Sequence, residues 1–183
     1  MEKPKSEIMK SIATPPANRG VTLKALDAIA FLRADHKLVS ALFAGYEKTQ
    51  STARKKKLVS QICTELAVHA QAEEEVFYPA VKRALKDKVL IPEPILQQAT
   101  MSARIGQVQG VEPDGEMFNA KVRVLCDYVK PHVTEEHTKM LRKAKATSPD
   151  MMMLGAATAA RKAEILVQRP VYMTLCPRLE ALC

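Results

Sequence analysis

Two pairs of side chains in this chain have the spacing of metal-binding claws: His69 with Glu73 in "HAQAEEEVFYP", and His132 with Glu136 in "VKPHVTEEH". Residues four apart on an α-helix differ by about 40° in direction and about 6 Å in height, so each pair projects an imidazole and a carboxylate from one face. A third imidazole, His36 in "LRADHKLV", shares a face with Leu32 and Val39. Burying one unpaired carboxylate is expensive, and burying two in a small domain demands pairing, protonation or a metal. Lys and Arg are absent from these inward lines apart from their flanks. A divalent cation is therefore the simplest partner for two glutamates and three imidazoles. Carboxylate bridges with terminal imidazoles are how four-helix bundles hold paired iron or manganese.

Each residue also has a plainer explanation. A lone His on an apolar face is more often a hydrogen-bonded core residue than a ligand, and solvated helices carry His-x-x-x-Glu by chance. Three helices each placing His or Glu on the inward line favour the metal. Glu74, Glu75, Glu135 and His137 fall off those lines and read as solvated surface, and Met151 to Met153 read as adaptable packing.

The elements that must position these groups are helices. Tryptophan is absent, aromatics make up 4% of 183 residues, and Ala, Leu, Lys, Glu and Met dominate, a palette that favours an all-α fold. Residues 1–22, with Pro4, Pro15, Pro16 and Gly20, read as a flexible basic arm, and 23–146 as a four-helix domain. The first helix is expected over Leu23–Lys48, with Leu26, Ile29, Leu32, His36, Val39 and Phe43 inward. The second starts near Thr52, carries Leu58, Ile62, Leu66, His69, Glu73 and Val76 on one line, and should end or kink at Pro79. The third, "IPEPILQQATMSARIGQVQG", lines up Ile95, Gln98, Met101, Ile105 and Val108. The fourth, capped by Asp114, lines up Phe118, Val122, Leu125, Val129, His132, Glu136 and Met140, with Pro131 expected to bend it just before His132. An accessory helix over 147–168 is announced by Ser148 and Pro149, and 169–183 form an unassigned tail.

The net charge of +8 is spread over "ARKKK", "KRALKDK", "LRKAKA" and "ARKAE", at helix ends or on polar faces. No aromatics interleave with these lysines, so solvated surface is favoured over a nucleic-acid partner. No stretch has the core of a signal peptide or a membrane span, and Cys63, Cys126, Cys176 and Cys183 form no CxxC pair. A soluble protein of the reducing cytoplasm is expected.

The stretches "LRADHKLV" (32–39), "ICTELAVHAQAEEEVFYPAV" (62–81) and "FNAKVRVLCDYVKPHVTEE" (118–136) together resemble the hemerythrin-like HHE cation-binding domains. H-x-x-x-E-E-E-x-F-Y-P is the most specific piece. The resemblance implies an up-and-down four-helix bundle over about residues 24–146 with a non-haem di-iron centre, serving to carry, sense or handle oxygen, nitric oxide or iron. It implies His36 and His69 as terminal ligands of one iron, Glu73 and Glu136 as carboxylate bridges, and His132 on the other iron. Where the family's third helix normally supplies a His, this chain reads "LQQATMS", so Gln98 stands in that place. An amide oxygen is a weaker donor than imidazole, which leaves the second iron position weakened. Pro131, and "KMLRKA" where the family usually has a Phe-Pro pair, imply a slightly shifted fourth helix.

The function expected is a non-enzymatic protein that holds iron, mono- or di-nuclear, with manganese or zinc able to use the same donors, and binds or senses a small diatomic ligand or the metal itself. The alternative is a helical interaction protein with a degenerate, metal-free site, Glu73 and Glu136 being protonated or paired to histidines and the basic faces meeting an acidic partner. An oxidase ranks last, because no further acid, base or substrate motif accompanies the ligands. Oligomeric state is not fixed by the sequence.

Overall fold

The computed structural model describes residues 26–85, 92–111, 115–147 and 150–175, with side chains as far as 168. The expected arm, the caps at Asp114 and Ser148, Pro149, Cys176 and Cys183 lie outside these residues. Every described element is helical. Helix α1 spans Ala28–Lys48 and starts where the Asp27 carboxylate accepts from Ala30 N at 2.8 Å. This cap places Leu26 before the helix, 42% exposed, so it does not join the inward line expected of it. Ser51 caps α2 (Thr52–Ala72), three residues after α1 ends, and so short a link folds the two helices back on each other.

Pro79 does not end the second helix. A π-turn over Glu73–Phe77 follows α2, with Tyr78 N–H bonded to the Glu73 carbonyl, and α3 carries on through Tyr78–Ala84. The wider turn removes the tight contact a proline ring makes with the carbonyl four residues back. It also changes the phase of the helix. Val76, expected inward, is only half-buried, whereas Phe77 and Tyr78 are fully buried.

Helix α4 spans Pro92–Gln109 and buries Gln98, Met101, Ile105 and Val108; Ile95, at 41% exposure, lies off that face. Helix α5 spans Glu116–Glu135 and runs unbroken past Pro131. A second π-turn, Glu136–Met140, joins it to α6 (Leu141–Thr147). Helix α7, Met151–Leu175, is capped by Asp150, whose Oδ1 accepts from Met152 N and Met153 N at 3.0 and 3.1 Å, and it extends past the expected boundary at 168.

Counting each π-joined pair as one rod, four rods form the bundle and α7 packs along α1, α2 and the first π-turn. The core is divided. One apolar cluster runs from Val39, Leu66, Met101 and Val129 toward the α1–α2 link, with Cys63 and Cys126 packed in it as small hydrophobes. A second gathers Leu32, Phe77, Tyr78, Met140 and Leu141 at the other end. Between them lies the polar layer described next.

Candidate metal centre

Four side chains from three rods meet in this layer: His36 from α1, His69 from α2, Glu73 opening the first π-turn and Glu136 opening the second. All are buried, Glu73 completely and Glu136 to 2% exposure. One donor atom from each lies within 4.8 Å of every other. His36 Nε2 stands 3.0 Å from His69 Nε2 and 3.1 Å from Glu136 Oε2, and His69 Nε2 stands 3.4 Å from Glu73 Oε2. Two ligands at right angles, each about 2.1 Å from a metal, are themselves about 3 Å apart. The spacing thus suits donors that share one cation.

The polar accounting points the same way. Both Glu136 oxygens, Glu73 Oε1, Gln98 Oε1 and His132 Nε2 are buried without an aligned hydrogen-bond partner. The His36 to Glu136 approach is close but poorly aimed, an ion-pair distance rather than a hydrogen bond. Buried polar atoms are nearly always satisfied, so five acceptors left over in one layer of a small domain call for a cation. The residues present therefore fit a metal.

The outer shell fixes how the ligands point. His69 Nδ1 lies 3.2 Å from Asp35 Oδ2, and a proton held there leaves Nε2 free to face inward. His132 Nδ1 donates to Gln97 Oε1 at 2.7 Å, which leaves its buried Nε2 as a lone pair. The Gln97 amide in turn donates to Glu135 Oε2 at 2.8 Å. On Glu73, Oε2 accepts from Tyr78 OH at 3.0 Å and from Gln98 Nε2 at 2.5 Å.

Charge in this layer follows from burial. Glu73 is pushed well above the usual carboxylate range by burial and then by the charge of Glu136. Burial pushes Glu136 up too, but the neighbouring imidazoles of His36 and His69 outweigh it and hold Glu136 below its ordinary value. Burial and the Glu136 charge thus favour the neutral form of Glu73, and His36 favours the charged form of Glu136. Burial lowers His69 and His132, so both imidazoles are held neutral, the form that can ligate. Asp35 is raised by burial but pulled lower overall by hydrogen bonds from His69 and Lys162.

Of the six residues singled out from the sequence, His36, His69, Glu73 and Glu136 form the tight group, and Gln98 touches it through Glu73. His132 is buried in the same layer but stands outside the tight group, beside a cleft lined by Glu93, Gln97, Glu135, Glu136 and Lys139. Two expectations need correction. His137 is half-buried, not solvated, and its Nε2 lies 2.8 Å from His36 Nδ1, because the π-turn brings the residue after Glu136 back toward α1. The inward faces also do not lack a cation: Lys162 of α7 is 9% exposed, with Nζ 2.7 Å from Asp35 Oδ2 and 3.0 Å from Glu65 Oε2. Glu74 and Glu75 are both exposed as expected, and Glu75 pairs with Arg161.

Comparison with known proteins agrees with this picture. The family model described as Hemerythrin HHE cation binding domain matches residues 27–144. A crystal structure of a hemerythrin HHE cation-binding domain-containing protein from Mycobacterium kansasii superposes with a TM-score of 0.65 at 17% identity, covering 78% of this chain and 91% of that one. Among curated proteins, a protein of Nostoc sp. named DNA nickase is 31% identical over 109 residues, which is 60% of this chain but 31% of that protein. The chain spans about a third of that relative's length.

Proposed function

The chain belongs to the hemerythrin HHE cation-binding domain family, and from that premise we propose that it is a non-catalytic iron protein of the reducing cytoplasm that binds or senses oxygen, nitric oxide or iron itself. His36, His69, Glu73 and Glu136 would hold the first metal position. His132 and the outer oxygens of the two glutamates would hold a weaker second one, with Gln98 beside it. The observation that carries this is the set of unpartnered buried acceptors on Glu73, Gln98, His132 and Glu136. Iron, when bound, supplies a redox-active Lewis acid; manganese or zinc could use the same donors. The protein's own part is to hold His69 and His132 neutral, to bury the two glutamates with oxygens left unpartnered, and to seal the layer between two apolar clusters.

Elemental analysis of protein grown with iron should find between one and two metal atoms per chain, and His69→Ala should lower that content. Metal-free protein of unchanged melting point on iron addition would favour the metal-free interaction protein instead, since a ligand of the folded state must raise the midpoint. The name of the Nostoc relative, together with the net charge of +8, makes DNA cleavage the enzymatic competitor. Supercoiled plasmid incubated with iron-loaded protein should stay intact. Nicking abolished by His69→Ala would overturn the non-catalytic assignment.

A further inference from the structure

Helix α7 lies outside the segment that matches the family, yet it reaches the ligands through a buried lysine. We propose that α7 is a working part of the metal centre: Lys162 holds Asp35, Asp35 holds His69, and metal occupancy and the docking of α7 are thereby one coupled equilibrium. This rests on the metal assignment above and adds to it a positioning residue and a moving element.

The chain of contacts is continuous. Asp35 Oδ2 receives Lys162 Nζ at 2.7 Å and faces His69 Nδ1 at 3.2 Å, while Glu65 Oε2 receives the same ammonium at 3.0 Å. All three side chains are largely buried, Lys162 to 11%, Asp35 to 12% and Glu65 to 16% exposure, so their pairing is poorly screened by solvent. Without Lys162, Asp35 and Glu65 would be two carboxylates facing each other across α1 and α2 with their shared cation gone. Asp35 would then be drawn toward water and would release the imidazole it orients.

Two further grips place α7 on the ligand-bearing segments. Arg161 pairs with Glu75, two residues beyond Glu73 in the first π-turn. Ile165 packs with Val68 and Ala72, which flank His69 along α2. At its start α7 comes so close to α1 that a Cβ on Gly155 would sit 2.3 Å from the Leu26 carbonyl oxygen and 2.7 Å from Ala28 N. Glycine is required there because the obstruction is backbone, which cannot swing aside. A substitution at 155 therefore displaces α7 without touching any ligand or charge.

Coupling of this kind is reciprocal: whatever factor α7 contributes to metal affinity, the metal must contribute to the docking of α7. Outer-shell partners of metal-binding histidines typically govern affinity by about 10–100-fold. The test uses full-length protein and ferrous iron under anaerobic conditions, with affinity read by chelator competition. Lys162→Met should weaken binding about tenfold or more, Lys162→Arg should restore most of it, and Gly155→Ala should weaken it in the same sense. In the unsubstituted protein, hydrogen exchange of α7 amides should slow when iron is added. Lys162→Met binding as tightly as the parent, or α7 exchange indifferent to iron in a parent that binds it, overturns the coupling while leaving the metal site intact. A parent that takes up no iron overturns the metal assignment and the coupling with it.

Discussion

Glu73→Gln should make the metal-free protein more stable and its metal site worse, opposite signs that no purely structural role for this carboxylate produces. Glu73 is fully buried, its Oε1 has no partner, and it faces Glu136, both of whose oxygens are also unpartnered. Glutamine has the same shape. Its oxygen can keep the bonds from Tyr78 OH and Gln98 Nε2, and its new N–H groups replace the orphaned oxygen and can donate toward Glu136. Relieving one buried unsatisfied group is worth about 1–3 kcal/mol, or roughly 4–8 °C at the middle of that range for a chain of this size. The gain should depend on pH with a definite sign. Because folding raises the Glu73 pKa above 4.5, its favourable contribution is complete below that pH and is lost as pH climbs toward the folded-state value. In that window the parent loses up to about 1.4 kcal/mol per pH unit relative to the variant. Denaturant unfolding of chelated samples from about pH 5 to 8, with elemental analysis of iron-grown samples, reads both effects. A chelated variant less stable than the parent throughout, or one with undiminished iron, would refute the reasoning.

The other predictions concern neighbouring groups. Gln98→His gives up the amide bonds to Glu73 and Tyr78, and should lower metal-free stability by about 1–3 kcal/mol while raising iron content toward two per chain; an unchanged stoichiometry refutes the weak second position. In the Glu73→Gln background, where the opposing carboxyl is gone, the lowered pKa values of His69 and His132 become visible. Their contribution is complete above the ordinary value of 6.5 and is lost as pH falls below it, at up to about 1.4 kcal/mol per unit for each histidine. Unfolding midpoints flat between pH 7 and 5 would show that these imidazoles reach solvent.

The inward lines of the four rods were legible because burial imposes a period on the sequence, and His36, His69, Gln98, His132 and Glu136 all sit on that period with Leu32, Leu66, Met101 and Val129. Glu73 was legible for the same reason. Two things were not. A π-turn leaves no compositional mark, since its extra residue is chosen by what packs beyond it, so helical spacing points to Val76 where Phe77 is buried and leaves His137 off the inward line. Lys162 and Asp35 were invisible because their meeting joins positions 127 residues apart. Polar contacts between distant helices obey no period, and only Asp35's place beside His36 hinted at a role.

Both π-turns open on a carboxylate of the buried polar layer, Glu73 in one and Glu136 in the other. Straightening either turn into ordinary α-helix with its residue count unchanged would turn everything downstream by about 100°. Phe77, Tyr78 and Val81, or Met140, Leu141 and Ala144, would then swing out of the far apolar cluster. The turn and the residue count are therefore locked together: a relative that lacks either turn should be one residue shorter there, and other insertions and deletions should gather in the links between rods.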